Sequence, residues 1–202
     1  MTTPRDLLIV SLDTDADRSV PQGDLSLALA GAELVDLLGV QALSLHGERI
    51  VPGARWALED RLLDQAVSAL VRQAPYESVE DWLWRRGRGL SSAYVDVLEA
   101  EGEVRRERHR WAFPATDKVV PADSPARRRA ADRWASGEPV LAGLGAALGL
   151  REAPDEEAGG APVDDAVVSV LAAVGDAVTE LEAVRQRRQI EQAAFDNIWR
   201  GH

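Results

Sequence analysis

The sequence contains no cysteine, which excludes a disulfide framework, a thiolate zinc site and a cysteine nucleophile. Long apolar runs are also missing. The longest, residues 140–150, falls well short of the roughly 20 residues that a membrane-spanning helix needs. The start of the chain lacks the basic segment and apolar core of a signal peptide. Together these absences predict a cytoplasmic protein.

Motifs typical of catalysis are absent as well. The three histidines, His46, His109 and His202, are isolated, and none forms an HExxH pair or a Ser/His/Asp set. The sequence also has neither a P-loop nor a glycine-rich dinucleotide motif. An acidic run at 13–24 departs from the calcium-loop pattern, since Arg18 stands where that loop needs glycine. We therefore predict neither an enzyme nor a bound metal or cofactor.

The charge of the chain is unevenly distributed. The formal net charge is -11, yet residues 85–133 hold 12 basic and only 8 acidic side chains. Lys118 is the only lysine among the 23 basic residues. The overall acidity argues against a general affinity for nucleic acid, so nucleic acid is an unlikely partner. The basic segment instead favours a protein that turns one face towards an anionic surface.

Apolar residues recur at helical spacing through most of the chain. Residues 24–39 are apolar nearly all round, which predicts a helix at the centre of the fold. The predicted fold is mainly α, a helical bundle around this central helix with small β-hairpins at 41–52 and 103–113. Other helices are predicted at 58–72, 90–101, 138–150 and 164–199. Ser78 with Asp81, and Ser124 with Pro125, predict the starts of two more helices, and Gly102 is expected to end the helix at 90–101.

The predicted domain organisation has three parts. Residues 1–150 form one helical domain, and residues 151–163 form an acidic linker rich in proline and glycine. Residues 164–202 form a C-terminal helix that packs on the same domain. The apolar stripe from Val167 to Val184 on this helix would also suit pairing with a partner chain. A protein-interaction module that uses this helix therefore remains an alternative function.

Three arginines, Arg85, Arg86 and Arg88, precede the helix predicted at 90–101. The N-terminus of a helix carries partial positive charge, so cations are unfavourable there unless something negative lies among them. The arrangement therefore indicates an anion or phosphate site formed by the arginines and the start of the helix. A solvated, charged turn is the alternative interpretation.

The hairpin predicted at 103–113 combines cations with aromatic rings. Val104 lies in its first arm, Trp111 and Phe113 lie in its second arm, and Pro114 ends the pairing. Its cations are Arg105, Arg106, Arg108 and Arg110. This combination suits an anionic membrane surface or nucleic acid, and a helix followed by a basic hairpin is also the shape of a winged helix. A charged turn with both rings folded inward is the remaining alternative.

Four segments in order resemble the Golgi phosphoprotein 3 family, in its bacterial branch. They are ALAGAELVDLLG, DRLLDQAV, VEDWLWRRGRGL and VLEAEGEVRRERHRWAFPATDKVVPAD, and the resemblance covers roughly residues 4–150. It implies a mostly helical fold with a protruding hairpin. It also implies a peripheral membrane protein that binds phosphatidylinositol 4-phosphate, with the hairpin serving oligomerisation and membrane contact. Residues 1–150 would then be the Golgi phosphoprotein 3-like domain.

The resemblance implies a headgroup pocket whose residue types this chain keeps only in part. A tryptophan and three arginines of the pocket fall at Pro21, Ala30, Arg88 and Ser91, so only Arg88 keeps its residue type. Arg85 and Arg86 are possible substitutes. The expected partner is therefore an anionic phospholipid headgroup at the inner face of the membrane, bound by Arg85, Arg86 and Arg88. The hairpin residues Arg106, Arg108, Arg110, Trp111 and Phe113 would contact the membrane and could join two copies of the chain.

Overall fold

The computed structural model describes residues 2–13, 19–54, 57–108, 117–152 and 163–200. Within these ranges the chain forms eight helices and two antiparallel two-stranded sheets, which confirms the predicted mainly α fold with small hairpins. The helices are α1 (Thr3–Asp13), α2 (Gln22–Gly39), α3 (Arg61–Ala69), α4 (Val79–Arg86), α5 (Leu90–Ala100), α6 (Pro125–Ala135), α7 (Pro139–Ala147) and α8 (Asp165–Arg200). The strands are β1 (Leu43–His46), β2 (Arg49–Pro52), β3 (Val104–Arg108) and β4 (Asp117–Pro121).

Helix α2 lies at the centre of the bundle, as its uniformly apolar sequence predicts. It contacts α1, α4, α5 and α8, and its residues from Asp24 to Val35 are all buried. Gly31 allows α8 to approach α2 closely. A Cβ atom at this position would lie only 2.3 Å from Cγ2 of Val174 on α8. A side chain here would therefore force the two helices apart.

Side-chain caps set where several helices begin. The Ser78 hydroxyl accepts a hydrogen bond from the Asp81 amide at 3.0 Å and starts α4, and Ser124 caps α6 in the same way. Both caps follow the sequence signals for a helix start. Helix α3 begins at Arg61, later than the predicted 58, because the Asp60 carboxylate accepts from the first amides of the helix.

The second hairpin differs from its sequence prediction. Gly102, with φ of +76°, ends α5 and leads directly into β3, as expected for a glycine cap. The partner of β3 is β4 (Asp117–Pro121), with Val104 opposite Pro121, so the prediction of a second arm before Pro114 was wrong. This register places two valines on the side of the hairpin that faces the core: Val104 is only 2% exposed, and Val119 packs against the same core. Arg110, Trp111, Phe113 and the side chain of Arg108 lie outside the described residues.

Helix α8 packs along the bundle against α2, α4 and α7. Val170 and Val174 are fully buried, and Ala177 is 3% exposed. Farther along the helix, Arg185 pairs with Asp24 of α2 at 2.7 Å, and the side chains of residues 186–192 are exposed. The first half of the predicted apolar stripe is therefore part of the bundle core. None of the helices in the described ranges combines the length and the apolar character needed to cross a membrane.

Candidate anion-binding site

The corner between α4 and α5 is built on two glycines. Gly87 packs directly on α2, where an added Cβ atom would lie 3.3 Å from the Ser26 carbonyl oxygen and 2.6 Å from that of Leu83. Gly89 has φ of +70°, a conformation that favours glycine, and turns the chain into α5. Arg88 therefore lies at the tip of a tight corner, and its side chain is exposed.

Arg85 and Arg86 occupy a different place from the one that the sequence suggested. They lie in the last turn of α4 and not at the start of α5. The C-terminal end of a helix carries partial negative charge, so both cations are favourably placed without any bound anion. The helix-dipole argument for an anion beside these two residues therefore does not hold.

Arg85 makes an ion pair on the surface of the bundle. Its guanidinium group donates to both carboxylate oxygens of Glu77, at 2.6 and 2.7 Å, and to the Ala69 carbonyl oxygen. The same group lies 5.2 Å from the centre of the Trp82 ring, within the range of a cation–π contact. These contacts tie the end of α4 to its neighbouring segments.

Arg86 reaches inward to a buried carboxylate. It donates two hydrogen bonds of 2.8 Å to Glu33, whose side chain is fully buried in α2, and a third to the Leu62 carbonyl oxygen. The Tyr94 hydroxyl donates to the same carboxylate at 3.1 Å. Burial raises the pKa of Glu33 above its ordinary value, against the opposing effects of Arg86 and Tyr94. We call Glu33, Arg86 and Tyr94 the buried network.

A cavity opens beside the α4–α5 corner, and we call it the Arg88 cavity. Its volume is about 320 Å³, and it lies between the first turns of α2, the corner and α8. Its lining includes Gln22, Leu27, Trp84, Arg88 and Leu181. The Arg88 side chain has no hydrogen bond or ion pair with the residues that the structure describes. Arg88 is thus available to an anion, in contrast to Arg85 and Arg86.

Two helices begin at the edge of the Arg88 cavity, and neither has a side-chain cap at its first position. Pro21 is the N-cap of α2 and Gly89 is the N-cap of α5. The first backbone N–H groups of a helix lack partners within the helix and carry partial positive charge. Two of them are used internally, because the Leu90 amide donates to the Gly87 carbonyl oxygen at 3.2 Å and the Ser91 amide donates to the Ser26 hydroxyl at 3.1 Å. The partial positive charge of the remaining N–H groups favours a negative group in the cavity.

The four positions at which the resemblance placed a headgroup pocket have separate environments. Arg88 lines the cavity, and Pro21 lies at its edge, immediately before the lining residue Gln22. Ser91 is 3% exposed and is hydrogen-bonded to Ser26. Ala30 is fully buried, and its carbonyl oxygen accepts from the Trp82 indole at 3.2 Å. Only Arg88 of the four supplies a cation to the cavity.

The two arginines of the second hairpin whose side chains are described, Arg105 and Arg106, are both ion-paired. Arg106 on β3 forms an ion pair with Asp96 of α5 at 2.6 Å and lies 3.4 Å from Glu99. Arg105 pairs with Glu107 on the same strand at 2.8 Å. These pairs are exposed, so each contributes little to stability and can exchange with another anion.

Two other cavities border α8. One, of about 510 Å³, is lined by four carboxylates, those of Glu48, Glu80, Asp176 and Glu180. The other, of about 500 Å³, lies between the first hairpin and the start of α8 and is lined by Asp164. Neither has an arginine or lysine in its lining, so of these three cavities only the Arg88 cavity has a cation for an anionic ligand.

Sequence reasoning identified Arg88 but not the rest of the site. Residues of α2 and Leu181 of α8 reach the cavity through tertiary packing, and no local pattern marks them. The buried network was also missed. Its one sequence signal is Glu33, an acidic residue in the middle of an almost entirely apolar helix, which requires a buried partner.

Comparison with known protein families gives a match over nearly the full length of the chain. The family model described as Golgi phosphoprotein 3 (GPP34) matches residues 4–196, and thus includes both the bundle and most of α8. No individually curated protein matches the sequence significantly. The match extends the resemblance seen in residues 4–150 to nearly the whole chain. The chain therefore belongs to the Golgi phosphoprotein 3 family.

Proposed function

We propose that this protein is a peripheral membrane protein without enzymatic activity, which binds anionic phospholipid headgroups in the Arg88 cavity. The observation that carries the proposal is the free guanidinium group of Arg88 beside two uncapped helix starts. Membership of the Golgi phosphoprotein 3 family supports a role of this kind.

The proposal assigns different roles to the three arginines of the corner. A ligand could recruit Arg85 only by replacing the carboxylate of Glu77, and Arg86 only by leaving the buried carboxylate of Glu33 unpaired. Leaving a buried charge without its partner costs about 3–5 kcal/mol. Arg85 and Arg86 are therefore assigned to holding the corner in place, and Arg88 to contacting the phosphate.

The second hairpin supplies the other part of the proposal. The sequence between β3 and β4 contains Arg110, Trp111 and Phe113, residue types that suit the interface of an anionic bilayer. We assign to this connection a direct contact with the inner face of the membrane. The same hairpin is the proposed contact between copies of the chain.

The two alternative functions have less support. A winged-helix reader of nucleic acid needs a recognition helix with exposed donors, but α5 carries Asp96 and Glu99, which neutralise Arg106 of β3. A protein-interaction module would need the apolar stripe of α8 to be free. Val170 and Val174 of that stripe are instead buried in the bundle.

Vesicle co-sedimentation tests the proposal. The protein is mixed with phosphatidylcholine vesicles that contain or lack anionic lipid, beside a DNA mobility-shift assay. Arg88→Ala should weaken binding to the anionic vesicles by about tenfold or more, the effect of losing a hydrogen bond to a charged group. Arg85→Ala is the matched control, because it removes the same charge from the same corner but outside the cavity lining.

The outcomes separate the function classes. Binding to anionic vesicles that falls for Arg88→Ala, and much less for Arg85→Ala, supports the proposal. Equal losses for the two variants would indicate a diffuse electrostatic attraction without a site. A wild-type protein that ignores anionic vesicles, or that shifts DNA instead, contradicts the proposal.

A further inference from the structure

We infer that the Arg88 cavity selects a headgroup that is a phosphodiester with free hydroxyl groups and a single negative charge, over a phosphomonoester. This inference rests on the proposed function and narrows its ligand. The geometry points to it through the number of free cations at the cavity, through the carboxylate beside it, and through the neutral polar groups at its edge.

Among the residues that the structure describes, the cavity has one free cation. Besides Arg88, the described arginines nearest in sequence to its lining residues are Arg85 and Arg86, on the preceding turn, and Arg185, one helical turn beyond Leu181. Arg85 and Arg86 are held by Glu77 and Glu33. Arg185 is held by Asp24 at 2.7 Å and by Glu182 at 2.8 Å. Among the described side chains, a ligand therefore meets one unpaired cation, in addition to the partial positive charge of the two helix starts.

The charge on the ligand decides what this cavity can hold. A phosphodiester carries one negative charge, whereas a phosphomonoester carries about 1.5 to 2 near neutral pH. Arg88 can neutralise the first kind of group completely. The additional charge of a monoester would find no second side-chain cation among the described residues, only the partial charges of the helix starts, and would lose part of its solvent on entering the cavity, which is unfavourable.

Asp24 makes a second negative charge less favourable still. It directly follows the lining residue Gly23, and its side chain is only 8% exposed. One carboxylate oxygen accepts from Arg185, and the other is buried without a hydrogen-bond partner in the described part of the chain. The cavity therefore has a fixed negative group close to it, whose only described cation also serves Glu182.

Neutral polar groups at the edge of the cavity suit hydroxyl groups. The Gln22 side-chain amide donates to the Ser92 hydroxyl at 2.5 Å and keeps its carbonyl oxygen as an acceptor. Leu27, Trp84 and Leu181 form apolar walls that fit the C–H surface of a polyol. A volume of about 320 Å³ is at the lower end of the roughly 300–1,000 Å³ typical of ligand sites, and so favours a small headgroup.

Binding to two sets of vesicles tests the inference. Phosphatidylcholine vesicles contain either phosphatidylglycerol, a diester with free hydroxyls, or phosphatidic acid, a monoester, with the two sets adjusted to equal surface charge. We expect tighter binding to the phosphatidylglycerol vesicles, and a loss of about tenfold or more in Arg88→Ala. Soluble glycerophosphoglycerol, followed by the amide signals of Gly87 and Gly89, shows whether the headgroup alone suffices.

A gain-of-charge variant tests the cause of the selectivity. Ser92 is exposed in the first turn of α5 and bonds to Gln22 at the cavity edge. Ser92→Arg adds a second cation there and should shift the preference towards phosphatidic acid by about tenfold, the effect of one hydrogen bond between charged groups. Ser92→Ala is the control, because it removes the same hydrogen bond to Gln22 without adding charge.

The results distinguish this inference about headgroup selectivity from the proposed lipid-binding function on which it rests. Tighter binding of the wild type to phosphatidic acid, or an unchanged preference in Ser92→Arg, overturns the selectivity and leaves lipid binding intact. Equal binding to both kinds of vesicle also overturns it. Failure to bind either kind of vesicle overturns the proposed function itself. A diester preference that Ser92→Arg shifts and Ser92→Ala does not supports the inference.

Discussion

Replacing Arg86 by methionine would leave the fully buried carboxylate of Glu33 without its cation. The substitution keeps an unbranched apolar side chain of similar length but removes the guanidinium group that makes two 2.8 Å hydrogen bonds. Only the Tyr94 hydroxyl, at 3.1 Å, would still donate to Glu33. The protein should therefore become less stable, mainly because a buried charge has lost its partner.

The size of the effect follows from the proton that Glu33 can take up. Its ordinary pKa is 4.5, so protonation at pH 7 costs about 1.36 kcal/mol for each of the 2.5 intervening pH units, roughly 3.4 kcal/mol in all. Glu33 can take up a proton instead of staying charged without a partner, so the cost of protonation is the upper limit of the destabilisation that the unpaired charge can cause. At pH 5 the same cost is only about 0.7 kcal/mol. Arg86→Met should therefore be destabilised by about 3 kcal/mol at pH 7 and by clearly less at pH 5.

The sign of this pH dependence is set by linkage. Burial raises the native pKa of Glu33, so the folded protein binds a proton at pH values where the unfolded chain has already lost it. The contribution of Glu33 to the free energy of unfolding consequently falls as the pH rises above about 4.5, and Arg86→Met should strengthen this fall.

Urea denaturation at several pH values measures the effect. Glu33→Gln is the control background, because its amide cannot ionise, and Arg86→Met added to Glu33→Gln should lose the dependence on pH. A destabilisation by Arg86→Met that is equal at pH 5 and pH 8 would refute the reasoning, as would a similar pH dependence in the Glu33→Gln background.

Two other predictions concern packing and the hairpin. Gly31→Ala should lower the melting temperature, because the new Cβ atom would lie 2.3 Å from Val174 and such overpacking typically costs about 1–3 kcal/mol. An unchanged melting temperature would show that α8 can move away from α2 at this point without cost. Trp111→Ala should weaken binding to anionic vesicles at every ionic strength, since it removes apolar contact, whereas Arg106→Ala should weaken it mainly at low salt. If neither variant alters co-sedimentation, the hairpin does not contact the membrane.

The elements that the sequence predicted well are those defined by neighbouring residues. Ser78 with Asp81 marks the start of α4, and Gly102 marks the end of α5, through bonds that span only a few positions. The central position of α2 follows from its composition alone. Local caps and periodicity thus account for most of the helical architecture.

The parts that the sequence could not predict depend on residues far apart in the chain. Glu33 meets Arg86 across 53 positions, and neither residue carries a local sign of the other. The corner shows the same limit, since Gly87 and Gly89 could each end a helix. For that reason Arg85 and Arg86 were predicted at the start of α5, whereas they lie in the last turn of α4.

The position of Leu181 gives the C-terminal helix a second role. Leu181 forms part of the Arg88 cavity and packs so closely on α2 that a Cβ atom at Gly23 would lie 2.9 Å from it. A ligand that touches this wall gains contacts only while α8 is seated on the bundle. Binding of a ligand in the Arg88 cavity and packing of α8 on the bundle are then thermodynamically linked, and each must make the other more favourable by the same factor. Under the proposed function, shortening or loosening α8 would therefore lower affinity at a cavity whose only lining arginine lies almost a hundred residues earlier in the chain.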